Sequence, residues 1–370
     1  MKVQSRLTEL RAARGLSAAE LASAIDVSRQ AVYAIESGGY APNTAVALKL
    51  AKALGVTVEE IFQLDSQMDA PLAESVDLLE ESHVVYPGMP VHLCRVDGRL
   101  MATFPELGTW SLPVADAIIA GKSTRQARTT VELFSGAQDF DMRLLMAGCD
   151  PGISILARHL GQLGVNLIVA HRNSTKALDL LYQGRIHVAG CHIRDERTDE
   201  SNLPAIGRIF RKQDIAVVSL AFWEEGLVLA RGNPKQIRSI ADLERSDVTL
   251  VNRERGAGSR LLLDSRLHSL GIAHTSVQGY ETTAAGHLAA ARRVQTGEAD
   301  CCIAVSSAAR LLGLGFIPLV SERYDLVVHR RHLHLPQVQA LFNTLALATY
   351  RRELEHFGGY DTSVAGRRVV

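Results

Sequence analysis

Residues 17–37 (Ser-Ala-Ala-Glu-Leu-Ala-Ser-Ala-Ile-Asp-Val-Ser-Arg-Gln-Ala-Val-Tyr-Ala-Ile-Glu-Ser) carry two short helical patterns across a tight turn, and no other stretch restricts the fold as closely. Ser17 and Ser28 each stand where a hydroxyl caps a helix N-terminus, and Glu20 completes an S-x-x-E capping box. Leu21 and Ala22 on the first helix, Val27 in the turn, and Val32 and Ile35 on the second make one apolar seam. The small Ala22 lets the two axes approach closely. The seam leaves Arg29, Gln30 and Tyr33 pointing outward from the second helix. Arginine pairs with guanine and glutamine with adenine, so this face suits groove and phosphate contacts.

The pattern resembles the Cro/repressor-like, XRE-type helix-turn-helix family over about residues 5–64. The resemblance implies five helices, with Leu7 and Leu10 anchoring the first, Pro42-Asn-Thr44 opening the fourth (45–54), and 58–62 forming the fifth. It also implies a double-stranded DNA operator as partner. The candidate DNA contacts are Ser17, Ser28, Arg29, Gln30, Tyr33 and Asn43. Two positions depart from the family pattern. Asp26 holds the turn position where glycine is usual, and aspartate tolerates a left-handed backbone. Ala18 stands where the family often has a glutamine that touches the DNA backbone, which implies fewer contacts from that helix.

Charge agrees only in part. The chain has 40 basic and 40 acidic residues, so its overall balance carries no nucleic-acid signal. Up to residue 58 there are seven Lys/Arg (Lys2, Arg6, Arg11, Arg14, Arg29, Lys49, Lys52) against four acids (Glu9, Glu20, Asp26, Glu36). Affinity follows the number of phosphates neutralised, so one such domain binds DNA weakly. Two copies on a palindrome bind more tightly, and a homodimer or higher homo-oligomer is expected.

At 370 residues the chain exceeds one typical domain. Its five cysteines (Cys94, Cys149, Cys191, Cys301, Cys302) form no C-x-x-C pair and fit reduced thiols better than a disulfide framework. The N-terminus has no apolar signal core. The most apolar stretch, 301–320, is broken by Arg310, Gly313, Gly315 and Pro318, which argues against a membrane span. A soluble, cytoplasmic protein with no membrane partner is expected.

A polar, poorly periodic stretch at 63–74 reads as a linker, and 75–141 reads as β-rich. Residues 90–103 are two alternating runs about Asp97-Gly98, a strong hairpin signal. Trp110 and the apolar 112–119 segment are expected to pack on it, in a structural or dimer-forming role. From about Met142 strands alternate with helices: strand 144–147, helix 152–163, strand 165–170, a helix through Tyr182, strand 186–190, then strand 248–251 and a helix ending near Leu270. This alternation argues for parallel sheets with covering helices. Ligands of such sheets bind beyond the carboxyl ends of strands, near free helix N-termini.

Several motifs then recur in order over about 200 residues: Gly148-Cys-Asp-Pro151, His187-Val-Ala-Gly-Cys-His192, Gly232-Asn-Pro234, the run from Val251 to Arg260, Gly279-Tyr-Glu281, Gly286-His-Leu288 and Glu322-Arg-Tyr-Asp-Leu326. Together they resemble the periplasmic-binding-protein-like domain usually associated with molybdate, a domain often fused behind a helix-turn-helix. The resemblance implies a hinged, two-lobed fold, one lobe holding about 142–192 and the chain after Tyr324, the other about 205–320. It also implies a bound molybdate or tungstate oxyanion as effector, with no other cofactor. Ser201-Asn202 replaces a usual Tyr-Asn, and 300–305 lacks the usual glycines, departures that bear on ligand identity.

Three turns converge on the expected cleft. Cys149 and Asp150 precede one helix, Asn173, Ser174 and Thr175 open a second, and Gly256, Ala257, Gly258 and Ser259 open a third. Glycines there let backbone N–H groups reach an anion, and helix dipoles favour negative charge. Arg253 and Arg260 suit a bidentate clamp on carboxylate, phosphate or a metal oxyanion, and His192 and His287 add donors. The candidate ligand set is therefore Cys149, Asp150, Asn173, Ser174, Thr175, His192, Arg253, Gly258, Ser259, Arg260 and His287. Several have a structural alternative: Ser174 and Thr175 as ordinary caps, Gly258 as a turn former, Arg253 paired with Glu254 or Asp264, His192 and His287 as satisfied interior histidines, Asp150 holding its turn, Cys149 as a small buried residue. The chain has no G-x-S-x-G elbow, P-loop, H-E-x-x-H or dinucleotide fingerprint, and no standard zinc spacing, so catalysis lacks support.

The expected architecture is multidomain: an all-α helix-turn-helix domain (1–64), a linker with a small β-rich module (65–141), and an α/β two-lobed periplasmic-binding-protein-like (type II) domain (142–352). The expected function is one-component, ligand-controlled operator binding. A sensor of a small organic anion, a ligand-independent architectural repressor and a DNA-anchored enzyme remain as alternatives.

Overall fold

The computed structural model describes residues 3–64, 73–79, 85–106, 112–122, 127–134, 140–195, 198 and 200–370. The chain forms two compact units, Met1–Leu72 and Ala73–Val370. Among the described residues no helix is long and apolar enough to cross a membrane.

The first unit contains β1 (Val3–Ser5), α1 (Leu7–Ala13), α2 (Ala18–Ile25), α3 (Arg29–Glu36), α4 (Thr44–Leu54), α5 (Val58–Ile61) and β2 (Phe62–Leu64). Ser17 accepts from the Glu20 amide while the Glu20 carboxylate accepts from the Ser17 amide, closing the capping box at the head of α2. Asp26 ends that helix at φ 58°, the left-handed conformation the turn requires. Leu7, Leu21, Ile25, Val32, Ile35, Leu50, Leu54 and Ile61 form one buried core. Beyond the five expected helices, β1 pairs antiparallel with β2.

The second unit opens with a closed barrel of β3 (Ala73–Leu78), β4 (Pro90–Val96), β5 (Arg99–Thr103), β6 (Ala117–Ile119) and β7 (Arg128–Leu133), in the order β3-β5-β4-β6-β7. Asp97 (φ 49°) and Gly98 (φ 76°) make the β4–β5 turn, with positive φ at both central residues as a tight hairpin demands. The expected packing of 112–119 holds only at its end. Ala117 and Ile119 are buried, but Leu112 is 94% and Val114 81% exposed, because only the last three residues pair in the barrel. Trp110 and most of the expected linker (65–72) lie outside the described residues.

The barrel is clasped to the following domain. Arg331 and His332 hold Asp97 at 2.6 and 2.8 Å, and Arg143 reaches back to the Leu93 carbonyl and the Asp116 carboxylate.

The α/β domain runs through β8 (Arg143–Gly148), α6 (Ile153–Gln162), β9 (Asn166–His171), α7 (Ser174–Tyr182), β10 (Val188–Cys191), α8 (Leu203–Gly207), β11 (Ile215–Leu229), β12 (Leu250–Arg253), α9 (Gly258–Leu270), β13 (Thr283–Ala284), α10 (His287–Gln295), β14 (Cys301–Val305), α11 (Ser306–Leu311), β15 (Gly315–His329), α12 (Pro336–Ala346), α13 (Ala348–His356) and β16 (Tyr360–Asp361). Its sheet has the order β13-β12-β14-β11-β15-β10-β8-β9, with β16 on β11. The long antiparallel strands β11 and β15 pair from end to end, Ile215 opposite His329 and Leu229 opposite Gly315. At about 3.3 Å per residue, strands of this length reach across two lobes. Their register shifts at Ser219/Ala221 and at Glu225/Gly226, next to the charged residues described below.

Two expected boundaries need correction. Residues from 205 do not belong wholly to the second lobe. Ile206, Phe210, Ile215 and Val217 pack with Leu145, Ala147 and Leu178 in the first, so the chain changes lobes within β11. The domain also does not end at 352. Tyr360 and Asp361 pair with Trp223 and Phe222, and the Val369 amide donates to the Val217 carbonyl at 2.8 Å.

Candidate functional site

The outer face of α3 keeps Arg29, Gln30 and Tyr33 exposed. Arg29 Nη2 donates to the Tyr33 hydroxyl at 2.9 Å, and its guanidinium lies 5.3 Å from that ring's centre. Arg29 and Tyr33 thus form one cationic, amphipathic patch beside Gln30. Ser17, Ser28 and Asn43 use their side-chain oxygens to cap α2, α3 and α4, so they fix the helix heads that flank this face.

In the second unit a cleft of about 530 Å³ is lined by Cys149, His171, Arg172, Arg253, Glu254 and His287 among others. Cys149 comes from the turn after β8, Arg253 and Glu254 from the end of β12, and His287 from the first residue of α10. The cleft therefore draws on both lobes. Behind it lies a buried polar cluster. His192 Nδ1 sits 2.7 Å from a Glu322 carboxylate oxygen and 3.6 Å from Glu225, and its ring packs edge-on to Trp223 at 4.9 Å. The Ser259 hydroxyl donates to Glu225. Gly258 is required here, since a Cβ would lie 2.4 Å from the His192 carbonyl oxygen.

The protonation states follow from crowding. Burial opposes a charge on His192, but Cys149, Glu225 and Glu322 around it outweigh burial and hold its pKa well above the ordinary value. Burial, and then the neighbouring Glu322, push Glu225 up to about 8. Glu322 is also opposed by burial, yet its bond to His192 holds it below the usual carboxylate range. At neutral pH the arrangement is an ionised Glu322 against a protonated His192, with Glu225 carrying a proton. His287 goes the other way: burial, then the positive Arg253 and His192, push its pKa well down, so it is neutral.

Among the buried polar groups left without a hydrogen-bond partner, two belong to residues that line the cleft, Arg253 and His287. Arg253 grips Glu254 through Nε (2.9 Å) and Nη2 (3.0 Å), but its Nη1 bonds to nothing, and neither ring nitrogen of His287 has a hydrogen bond. Each unmade bond to a buried polar group costs about 1–3 kcal/mol, more for a charged one. Both residues line the cleft, so an occupant that accepts from Arg253 and meets His287 recovers that energy.

Of the sequence-derived candidates, the fold gathers Cys149, His192, Arg253 and His287. Others have protein partners. Ser174 Oγ accepts from the His192 amide (3.0 Å) and donates to its carbonyl, pinning the end of β10 to α7. Asp150 holds its turn, accepting from the Gly152 amide (2.8 Å) and the Tyr360 hydroxyl (2.6 Å). Arg260 lies 4.7 Å over the Tyr280 ring and donates to the Arg253 carbonyl, away from the cleft. Asn173 caps α7 and donates to the Arg255 carbonyl, and Thr175 donates to the Gly256 carbonyl at 3.0 Å. These last two bonds join the lobes directly. Against the expectation of an anion held at the head of α9, that position faces the protein's own Glu225 carboxyl, bonded to Ser259.

Glu225 and Trp223 have no place in the sequence motifs; Glu322 and Tyr324 stand in one motif but not among the candidate ligands, and Glu254 takes the place of Arg253's alternative partner. The available signal was a pair of acids inside an otherwise apolar strand: Glu225 is fully buried, whereas the adjacent Glu224 is exposed.

Comparison with known proteins agrees with this architecture. The PBP superfamily domain matches residues 156–346, and a helix-turn-helix family matches residues 7–61. The uncharacterized protein YvgK of Bacillus subtilis (strain 168) is 32% identical over 228 residues, 61% of this chain and 73% of that one. The uncharacterized HTH-type transcriptional regulator YgzD of the same organism is 38% identical over 65 residues, 18% of this chain and 98% of that one. Among solved structures, the sulfate-binding protein SubI from Mycobacterium tuberculosis H37Rv aligns with a TM-score of 0.44 at 15% identity, covering 59% of this chain and 86% of that one. The chain belongs to the PBP superfamily and carries a helix-turn-helix DNA-binding domain at its N-terminus.

Proposed function

We propose that this protein is a cytoplasmic, one-component transcriptional regulator whose operator binding is controlled by a small anion held between the lobes of its second unit. The observation that carries the reading is Arg253. Its guanidinium is 1% exposed and bidentately paired, yet one nitrogen has no partner in a residue that lines the cleft. An anion there contacts Cys149 from one lobe and Arg253 and His287 from the other. It therefore favours the closed form over any open one by the contacts that only closure makes. Coupling of about 1–3 kcal/mol between effector and operator is typical of such switches. The protein acts as a dimer, because one helix-turn-helix with few phosphate contacts binds weakly.

The sequence resemblance favours molybdate or tungstate as the effector. The cleft volume of about 530 Å³ favours a second reading, a small organic anion, since a tetrahedral oxyanion fills only a fraction of it. Thermal unfolding with molybdate, tungstate, sulfate, phosphate and short carboxylates decides between them. The true effector at a hundredfold excess over its Kd adds about 2.7 kcal/mol of stability. The same compound should shift a gel-retardation titration with operator DNA. If no anion raises the unfolding temperature, the ligand-independent repressor is the better account.

A further inference from the structure

Cys149 and His287, two of the groups named for the anion, and His192 bring one sulfur and two ring nitrogens within 4.8 Å of one another, all three residues buried. We propose that these three residues bind a divalent transition-metal ion of the zinc type at the floor of the cleft, with a fourth coordination position open towards the cavity.

The donor chemistry selects this class. A thiolate with two imidazoles suits zinc, cobalt or nickel and is a poor match for calcium or magnesium, which take oxygen donors. Metal–sulfur bonds of about 2.3 Å and metal–nitrogen bonds of about 2.0–2.1 Å place tetrahedral ligand atoms some 3.3–3.7 Å apart. Contraction from 4.8 Å is within reach of side-chain rotation.

The outer contacts fit as well. His192 commits Nδ1 to Glu322 at 2.7 Å, which leaves Nε2 for the ion, with the Cys149 sulfur within 4.8 Å of the ring's ligand atom. A carboxylate on the far nitrogen of a histidine is the usual support of a metal-bound imidazole. That same 2.7 Å is too short for Glu322 and His192 to ligate one ion through those atoms, so Glu322 orients and does not bind. His287 is the second observation. Both its nitrogens are buried and unpartnered, so the ring has a lone pair to give.

Cys149 and His287 line the cavity while His192 does not, so the open side of the tetrahedron faces the space below Arg253. On binding, the Cys149 thiol and the protonated His192 ring each give up a proton to solvent as the metal–sulfur and metal–nitrogen bonds form. Glu225, within 3.6 Å of His192 and 3.8 Å of His287, lies close enough to offset the ion's charge once the ion drives off its proton.

The test uses the full chain, stripped with a chelator and titrated with Co²⁺ and Zn²⁺ alone. The expected result is one Co²⁺ per chain, a sulfur-to-cobalt charge-transfer band in the near ultraviolet, intense tetrahedral visible bands, and displacement by Zn²⁺. Cys149→Ser should abolish the near-ultraviolet band. His287→Gln, a milder change, should weaken Co²⁺ affinity at least tenfold with unchanged circular dichroism, and it keeps the test valid if the serine variant does not fold. No stoichiometric cobalt binding, or a sulfur band that survives in folded Cys149→Ser, overturns the proposal. The inference shares its cleft with the anion reading, so anions are titrated into the stripped protein separately. Anion binding without metal binding removes this proposal alone, and metal binding without any anion response removes the other alone.

Discussion

The two units handle polar side chains in opposite ways. In the first, Arg29, Gln30 and Tyr33 stand in water, and replacing them disturbs little of the core beneath. In the second, His192, Glu225, Glu322, Arg253 and His287 are all buried and close to one another. Exposed groups can be spent entirely on a partner, because water already solvates them. Buried groups must first be reconciled with each other, and only what is left over can serve a ligand. Here the remainder is one guanidinium nitrogen, one imidazole and one Glu225 carboxyl oxygen. A change in the DNA face should therefore separate function from stability, whereas most changes in the cleft should move both.

The largest effect should come from removing Glu322. Glu322→Ala leaves a buried, protonated His192 without its carboxylate, and breaking such a pair from one side costs about 3–5 kcal/mol. Urea unfolding should show that loss as a lower midpoint with an unchanged slope. A variant within 1 kcal/mol of the parent would mean the cluster is wetter and less coupled than its burial indicates.

The DNA face should behave in the reverse sense. Arg29→Ala with Gln30→Ala should weaken binding to a selected operator by about 1–3 kcal/mol for each lost base contact. Stability should stay within about 0.5 kcal/mol, as for surface changes generally. Gel-retardation titration beside thermal unfolding measures both. Unchanged operator affinity would remove α3 as the reading helix, and the contrast with it.

The same contrast governs what the sequence could reveal. The helix-turn-helix was legible almost residue by residue because its determinants are local: a hydroxyl three residues before its amide partner, a left-handed Asp26, an apolar seam within twenty residues. The Asp97-Gly98 hairpin and the α/β alternation were legible for the same reason. Strands β11 and β15 were not. Lying in the middle of the sheet, β11 is buried on both faces and shows none of the alternation that marks a half-exposed strand. The cleft cluster was the least legible part, since His192 and Glu322 are 130 residues apart and meet only through the sheet order. Ser174 and Arg260 were chosen by position at helix starts, and that rule cannot tell an offered side chain from one already bound to its neighbours.

The smallest expected effect concerns acid. Among the carboxylates with depressed pKa values are Asp116 in the second unit and Glu20 in the first. Burial opposes ionisation of Asp116, but bonds from His92, Arg143 and the Leu93 amide hold it down to about 2 against an ordinary 3.8. Glu20 is lowered by its bond from the Ser17 amide in a fully exposed capping box. A depressed carboxylate contributes stability above its unfolded pKa and loses it as pH falls through the folded one. For Asp116 that loss runs from about pH 4 to pH 2. Asp116→Asn keeps acceptor oxygen but no charge, so at pH 7 it should be less stable by roughly 1 kcal/mol, the margin between charged and neutral hydrogen bonds. As pH drops towards 2 the parent loses its charge as well, and the two unfolding temperatures should converge. Glu20→Gln preserves the capping box, because glutamine also accepts from the Ser17 amide, and should show little gap at any pH. Thermal unfolding of the three proteins between pH 2 and 7 makes the comparison. A gap for Glu20→Gln as large as that for Asp116→Asn would mean burial does not distinguish the polar groups of the two units.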